Sequence, residues 1–316
     1  MANFPYSSVQ EPDVPLSNLA VAYEQKGLIA DIVCPRVPVT LHGGQYYKRR
    51  KRDMIQVTDD RMGVNGSPGE INGGYDLGRF ACEDYGLKEK VMRSVTRAAD
   101  PSINPFADAT KRVTSQVMTN HEVRVAAAYQ TSTNYASNNY AALSGSDRWD
   151  TTTGDPISKV LTIKKYLWRG PQARTVAWMG YEVFVKLRTN PFIKEALGSS
   201  GTPDVPAAVT LKGLASLFMV DEVVIGEAWK DTGVVGSTSN EALIWGKSFG
   251  IAAVEASPTL QSLHFASCMS FQDRKVFTWA DPEPGLEGAD WVKVTQSNDI
   301  EFVASDGGLF LATVIS

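Results

Sequence analysis

The sequence predicts an α+β protein that assembles with copies of itself through extended segments. Three patterns lead to this prediction: a glycine-punctuated two-stranded region, a helix of about 26 residues, and alternating strand patterns near the C-terminus. A long hairpin standing alone is marginally stable in water, so it needs a partner surface. The combination therefore indicates a structural subunit rather than an enzyme.

Composition places the chain among ordinary globular proteins. Of the 316 residues, 43% are hydrophobic and 21% are charged, which argues against a disordered, collagen-like or coiled-coil protein. The net charge of −4 is too acidic for a chain whose whole surface binds nucleic acid. We expect no export signal, because the N-terminus lacks a basic start followed by an apolar run. We expect no membrane insertion, because the longest apolar stretches are interrupted well before about 18 residues.

Residues 1–36 are predicted to form an extended N-terminal arm. Prolines recur throughout this segment, and helical periodicity is confined to residues 17–26 and 28–32. Such an arm buries little of itself. We expect its apolar residues to pack on the body of this subunit or of another.

Residues 37–84 are predicted to form a long two-stranded excursion, because glycines separate short strand-like runs. The excursion contains five consecutive cations: Lys48, Arg49, Arg50, Lys51 and Arg52. In a strand these side chains would alternate between two faces. Three interpretations stay open for the basic run: an ionic contact with an acidic neighbouring subunit, a solvated face, or a site for nucleic acid.

A helix is predicted from about residue 105 to residue 130. Asn104 is a favourable N-cap, Pro105 fits the first helical position, and Asp108 complements the positive N-terminal end. At 1.5 Å per residue this helix is about 39 Å long. Its predicted apolar stripe consists of Val113, Val117, His121, Val125 and Ala128.

Helices and strands alternate in the second half of the chain, which indicates a compact mixed domain. The predicted elements are a helix from Pro156 capped by Asp155, a strand at 174–178, a helix at 181–188 that Asn190–Pro191 interrupts, a helix at 211–218, and a strand at 223–226. Residues 274–316 then alternate as strands of a mostly antiparallel sheet, with turns at 281–288 and 305–308. We expect these last strands to pack beside the long helix.

One pentapeptide raises the question of catalysis. Residues 246–250 match the Gly-x-Ser-x-Gly pattern of a hydrolase nucleophile elbow, with Ser248 as the nucleophile. An elbow needs a strand, a sharp turn and a helix, whereas both flanks here are strand-like, so we expect a hairpin turn. His264 and Glu255 are the candidate triad partners, and their spacing in the sequence neither supports nor excludes a catalytic triad.

The sequence predicts no metal, cofactor or catalytic residue. No two of the three histidines share a metal-binding motif, and no phosphate-binding loop is present. Cys34, Cys82 and Cys268 are odd in number and widely spaced, so we expect buried, reduced thiols. His121 is expected to be a hydrogen-bonded core residue.

The order of several short motifs resembles that of major capsid proteins of tailed bacteriophages. The motifs are Cys-Pro-Arg-Val-Pro-Val at 34–39, Gly-Gln-Tyr-Tyr at 44–47, Asp-Tyr-Gly-Leu-Lys-Glu-Lys-Val at 84–91, Ile-Trp-Gly at 244–246, and Asp-Arg-Lys-Val at 273–276 followed by Trp279. The resemblance covers nearly the whole chain and depends on order and spacing rather than on any one motif.

This resemblance implies the Hong Kong 97-like capsid fold, an icosahedral shell around double-stranded DNA, and a place in the virion after assembly in the host cytoplasm. The implied segments are an N-arm at 1–36, an extended loop at 37–84, a peripheral domain with the spine helix at 85–154, an axial domain at 155–273, and returning peripheral strands at 274–316.

The resemblance also implies partners. Copies of the chain would form hexamers and pentamers, together with a portal, a decoration protein and non-specifically held DNA. Because the arm is short, we expect a separate scaffolding protein rather than a fused one. Within this family the basic run at 48–52 becomes a candidate contact between subunits.

Overall fold

The computed structural model describes residues 12–62, 66–71, 73–98, 100, 104–198, 209–233 and 238–316. Its helices are α1 Val14–Ala22, α2 Ala30–Val33, α3 Lys51–Ile55, α4 Arg93–Ala98, α5 Pro105–Tyr129, α6 Pro156–Lys164, α7 Tyr181–Thr189, α8 Pro191–Ala196 and α9 Leu211–Leu217. Its strands are β1 Arg36–Pro38, β2 Gly43–Arg49, β3 Tyr75–Ala81, β4 Glu83–Met92, β5 Tyr140–Ala142, β6 Arg174–Gly180, β7 Glu222–Gly226, β8 Trp229–Asp231, β9 Glu241–Leu243, β10 Phe249–Val254, β11 Ala266–Asp281, β12 Ala289–Phe302 and β13 Gly308–Ala312. Helix and strand each make up about a third of the chain, at 33% and 31%, so the predicted α+β class is confirmed.

A four-stranded sheet supports the long helix. Its order is β1-β11-β12-β4, antiparallel except for the parallel pair β1 and β11. Helices α1 and α5 cover one face of this sheet. Val276, Val292 and Val294 point toward these helices and are buried with Val113 and Val117 of α5, which joins helix and sheet through one apolar core.

The long helix follows its sequence prediction closely. It spans 25 residues, and the Asn104 side-chain oxygen accepts hydrogen bonds from the backbone N–H groups of Phe106 (3.1 Å) and Ala107 (3.2 Å). Four of the five predicted stripe residues are buried, and Ala128 is half-buried. The spacing of apolar residues therefore identified the face that packs on the sheet.

A second sheet has the order β5-β13-β10-β6-β7. Strand β10 is buried along its whole length and β6 is buried from its second residue onward, as expected for central strands covered on both faces. Helices α6 to α9 contribute buried residues to the core on one face of this sheet. The predicted helix interruption at Asn190 is confirmed, because its side-chain oxygen caps α8.

The C-terminal segment divides between the two sheets, contrary to the prediction that residues 274–316 all return to the peripheral strands. Strands β11 and β12 do pack beside α5, whereas β13 pairs with β10 and β5. Strand β13 has an almost wholly apolar sequence and is buried, so a central position in the second sheet suits it better than a half-exposed one. The other segment boundaries stay predictions.

The extended loop contains a two-stranded ladder, as predicted. Strands β2 and β3 pair from Gly43 opposite Ala81 to Arg49 opposite Tyr75. One face of this hairpin packs on the body, where Tyr46 and Phe80 are buried in a small core with four other residues: Val37, Val39, Cys82 and Met269.

The described part of the arm lies on its own subunit. Helix α1 contacts β11 and α5, and the Asp13 backbone N–H donates to the carbonyl of Val276 at 2.9 Å. The three cysteines are free and buried, as expected, and burial raises the pKa of each thiol. Among the described residues, no helix has the length and apolar character needed to cross a membrane.

Candidate inter-subunit surface

The basic run spans the end of a strand and the start of a short helix. Lys48 and Arg49 end β2, Arg50 has extended backbone, and Lys51 and Arg52 begin the short helix α3. The alternation between two faces that a strand would give therefore ends at Arg49.

Three of the five cations have partners within the same subunit. The Lys48 ammonium donates to the Phe302 carbonyl at 3.0 Å, and the Arg50 guanidinium pairs with Asp76 at 2.8 Å. The Lys51 ammonium forms an ion pair with Asp306 and lies 5.6 Å from the centre of the Trp168 ring. The Lys48 and Lys51 contacts fasten the hairpin to the C-terminal part of the chain, and the Arg50 contact joins the two sides of the hairpin.

The other two cations are free of such partners. Arg49 and Arg52 are exposed, and neither forms an ion pair with any residue that the structure describes. An exposed guanidinium keeps all its donors available for a carboxylate on another molecule. Within the basic run, contact with a neighbour can thus be made by Arg49 and Arg52 without breaking an internal ion pair.

The outer face of the hairpin is apolar and exposed. Tyr47 is 59% exposed and Leu77, directly opposite it, is 62% exposed. The Tyr75 ring meets the Tyr47 ring edge-on, with centroids 5.9 Å apart. Arg49 and Arg79 lie on the same face, so it combines aromatic area with positive charge, a composition typical of protein interfaces.

A carboxyl group lies under the hairpin base. Burial, and then the neighbouring Asp299 carboxylate, raise the pKa of Glu301 to about 7. Burial also raises the pKa of the adjacent Tyr46 hydroxyl well above its usual value. Because the Lys48 charge lowers the pKa of Glu301, the hairpin and this carboxyl group are electrostatically coupled.

A buried glutamate joins the arm, the long helix and the second half of the chain. The Glu122 carboxylate accepts hydrogen bonds from the backbone N–H groups of Ile29 and Ala30, both at 2.8 Å. It also accepts one from the indole N–H of Trp245 at 2.6 Å. Burial nevertheless raises the pKa of Glu122. Glu122 was not predicted from the sequence, although a carboxylate next to His121 on the buried side of the helix could have indicated a buried polar contact.

His121 is buried, as its place on the stripe predicted, but its expected hydrogen bonds are absent among the described residues. Its Nε2 atom lies 3.5 Å from an Asp31 carboxylate oxygen, and neither ring nitrogen has a hydrogen bond of good geometry. Burial lowers the pKa of His121. Burial therefore disfavours protonation of the imidazole at the contact between α5 and α2.

The geometry around Ser248 does not form a nucleophile elbow. The expected hairpin turn is also wrong, because β9 pairs with β8 while β10 pairs with β6 and β13. His264 is hydrogen-bonded to Ser267 at 2.8 Å and burial lowers its pKa. Within the described part of the chain, no group of three or more His, Cys, Asp or Glu side chains could hold a metal ion.

Comparisons with known proteins agree with this architecture. No family model matches the sequence. A curated major capsid protein of Pseudomonas phage JBD67 is 27% identical over 321 residues, covering 100% of both chains. A phage-related protein from Bordetella bronchiseptica RB50 has a similar structure, with a TM-score of 0.75 and 19% identity over 97% of this chain and 99% of that one. A capsid chain of cyanophage P-SCSP1u has a TM-score of 0.59 and 9% identity over 99% and 92%.

The fold is therefore that of the Hong Kong 97-like capsid proteins, as the resemblance implied. The resemblance of the sequence to major capsid proteins of tailed phages is confirmed over its full length.

Proposed function

We propose that this chain is a major capsid protein that self-assembles into the icosahedral shell around the double-stranded DNA of a tailed phage. The observation that carries the proposal is the capsid fold along the whole chain, together with a full-length match to a curated major capsid protein. The chain then belongs to the virion.

The surface of the chain supports assembly. The hairpin exposes a continuous aromatic and apolar face, while its inner face is already buried. Exposed apolar patches of this kind usually mark interaction sites. The net charge of −4 combined with locally basic segments makes copies of the chain electrostatically complementary to one another.

The proposal includes partners beyond the chain itself. Hexamers and pentamers of the chain would form the shell, with a portal, a separate scaffolding protein and a decoration protein, and packaged DNA would be held without sequence preference. Expressing the chain alone and then with candidate scaffold genes tests this. The proposal predicts particles of shell size by light scattering, whose yield or uniformity improves with a scaffold.

We also propose that Arg49 and Arg52 provide the inter-subunit contact expected of the basic run. Replacing both with glutamine removes two exposed cations without breaking an internal ion pair, so the monomer should keep its stability while assembly weakens. Replacing the exposed Lys186 and Lys212 with glutamine gives a control with the same charge change. Equal assembly of both double variants would refute this role, and loss of DNA affinity alone would instead indicate a nucleic-acid site.

A structural role leaves the chain without enzymatic activity. We infer that Ser248 is not a nucleophile, since no histidine is hydrogen-bonded to it among the described residues. A fluorophosphonate probe should leave Ser248 unlabelled in the native protein. Labelling that disappears in Ser248→Ala would contradict the inference.

A further inference from the structure

We propose that a pocket between the arm and the long helix binds a small organic carboxylate. The pocket has a volume of about 400 Å³, and cavities that bind small molecules usually enclose roughly 300–1,000 Å³. This inference goes beyond the proposed function, because forming a shell does not by itself require such a ligand. We call the site the arm pocket, and the lining residues that define it are Val21, Leu28, Ile32, Met118, His121 and Arg274.

Arg274, on β11, supplies a cation that has no carboxylate partner. Its guanidinium donates through Nη2 to the Val21 backbone carbonyl of the arm at 3.3 Å, whereas its buried Nη1 atom has no hydrogen-bond partner among the described residues. It forms no ion pair with any residue that the structure describes. Burial, and then the neighbouring Arg36 charge, lower the pKa of Arg274. A guanidinium in this position is suited to a carboxylate, which accepts its N–H groups and offsets its charge.

His121, on α5, is the second polar group without a partner. It is 3% exposed and lines the arm pocket, and neither ring nitrogen has a hydrogen bond of good geometry to a described residue. The charges of Arg36 and Arg124 lie close enough to act on the ring. A neutral imidazole has one N–H to donate, and a buried polar group is unfavourable when it has no partner. A ligand oxygen that accepts this N–H would therefore stabilise the folded chain.

The carboxylates around the arm pocket limit the charge that a ligand can carry. Asp31 is already paired with Arg36 at 2.9 Å, and Glu122 already accepts two backbone N–H groups of the arm. Glu24 also lines the pocket and is exposed. A ligand with two or more negative charges, such as phosphate, would be repelled by all three carboxylates. The arm pocket therefore favours a ligand with a single negative charge.

The rest of the lining favours a ligand that also has an apolar part. Val21 and Leu28 of the arm, Ile32 of α2 and Met118 of α5 line the pocket. The last three of these side chains are half-buried, so part of their surface is still open to a ligand. Covering apolar surface is favourable, and a methionine side chain adapts to ligands of different shape. A short hydrocarbon chain ending in one carboxylate combines both requirements.

A bound carboxylate would also hold the arm in place. Arg274 already contacts the arm through the Val21 carbonyl, and His121 belongs to the long helix. A ligand that accepts from both side chains would join β11, α5 and the arm at one point. We therefore expect the ligand to slow amide hydrogen exchange in residues 21–32.

Binding of sodium hexanoate to the unassembled full chain tests the site. Isothermal titration calorimetry should show a single hexanoate bound per chain, and hexanoate should raise the melting temperature above that in sodium chloride at the same ionic strength. Hexanamide and hexylammonium chloride keep the hydrocarbon chain but lack the negative charge. Each should bind about tenfold more weakly or less, and so should inorganic phosphate.

Variants of Arg274 test which side chain receives the carboxylate. Arg274→Gln should weaken hexanoate binding about tenfold or more, because a charged hydrogen-bond donor is lost. Arg274→Lys keeps the charge but not the planar fork, so its affinity should lie between the two. Lys275→Gln makes the same charge change at the exposed neighbouring residue and should bind hexanoate like the unmodified chain. Circular dichroism checks that each variant folds, and Arg274→Lys decides the matter if Arg274→Gln does not.

Four outcomes would overturn the inference. They are no binding of hexanoate, equal binding of hexanoate and hexanamide, phosphate bound more tightly than hexanoate, and equal affinity of the Arg274 variants and Lys275→Gln. Unchanged hydrogen exchange in residues 21–32 would overturn the predicted hold on the arm. None of these measurements depends on particle formation, so their failure is distinct from a failure of the proposed function.

Discussion

Glu122 shows how much one buried side chain contributes to this architecture. It is 1% exposed and accepts from two backbone N–H groups of the arm and from the Trp245 indole. One carboxylate therefore links the arm, the long helix and the segment around Trp245 through hydrogen bonds. Buried donors left without an acceptor cost about 1–3 kcal/mol each.

We predict that Glu122→Ala lowers the free energy of unfolding by about 3 kcal/mol or more, because three buried donors lose their acceptor. Glu122→Gln keeps one acceptor oxygen and should lose less. Chemical denaturation measures both variants, with the exposed Glu195→Ala as a control expected to change stability by about 0.5 kcal/mol or less. A Glu122→Ala protein as stable as the control would contradict this role.

His121 makes the stability of the folded chain depend on pH. Burial lowers its pKa, so the folded state binds fewer protons than the unfolded state. The free energy of unfolding therefore keeps the full contribution of the neutral imidazole above the unfolded pKa of about 6.5. As the pH falls below that value, the free energy of unfolding decreases by up to about 1.4 kcal/mol per pH unit.

We predict that His121→Gln flattens the decline of unfolding free energy between about pH 6.5 and pH 5. Urea denaturation at several pH values measures this slope. Asn120→Gln, an exposed and non-titrating change on the same helix, should keep the slope of the unmodified chain. An unchanged slope in His121→Gln would show that other groups, such as the buried His264, produce the dependence.

Sequence reasoning was most accurate for residues whose role is local. The cap at Asn104 and the buried positions Val113 and Val117 follow from spacing along a single helix. Glu122 and the Lys51 to Asp306 ion pair join positions far apart in the chain, and no local pattern encodes such a pair. The basic run was therefore located correctly in sequence, while its internal partners could be seen only in the fold.

At the scale of elements, the hairpin depends on a close approach between its strands. Gly78 lies opposite Tyr46, and a Cβ atom at Gly78 would lie 2.4 Å from a carbon of the Tyr46 ring. The same addition at Gly73, in the loop, would meet no atom within 4 Å. The two glycines thus form a matched pair for testing how the hairpin is held.

We predict that Gly78→Ala displaces Tyr46 and loosens the hairpin, at a cost of about 1–3 kcal/mol. Limited digestion with trypsin measures this, because the basic run at 48–52 offers cleavage sites. Cleavage there should be faster in Gly78→Ala than in the unmodified chain, and Gly73→Ala should resemble the latter. Equal cleavage rates in all three proteins would mean that the hairpin tolerates the displacement.

Elements with strong local signals and the β2–β3 hairpin were predicted well, whereas the pairing of β9, β10 and β13 was not. The helix at Pro105–Tyr129 and the break at Asn190 carry caps and periodicity in their own sequence. The almost wholly apolar sequence of β13 indicates a buried strand, but its pairing with β10 and β5 depends on contacts between residues far apart in the chain. The prediction of a hairpin turn at residues 246–250 was wrong for the same reason, since the strands on either side of these residues pair with different neighbours.

At the scale of the whole molecule, the outer face of the hairpin and the cations Arg49 and Arg52 are exposed together in one subunit. The proposed shell would explain why a chain of ordinary composition leaves these side chains uncovered, because neighbouring copies would cover them. The resemblance of ordered motifs predicted this fold, although no single motif would have sufficed.

Electron microscopy of the purified chain, alone and co-expressed with a scaffolding protein, tests the central claim most directly. A capsid function predicts closed icosahedral shells built from rings of six and five subunits. A chain that stays monomeric under both conditions, with its fold intact by circular dichroism, would contradict it.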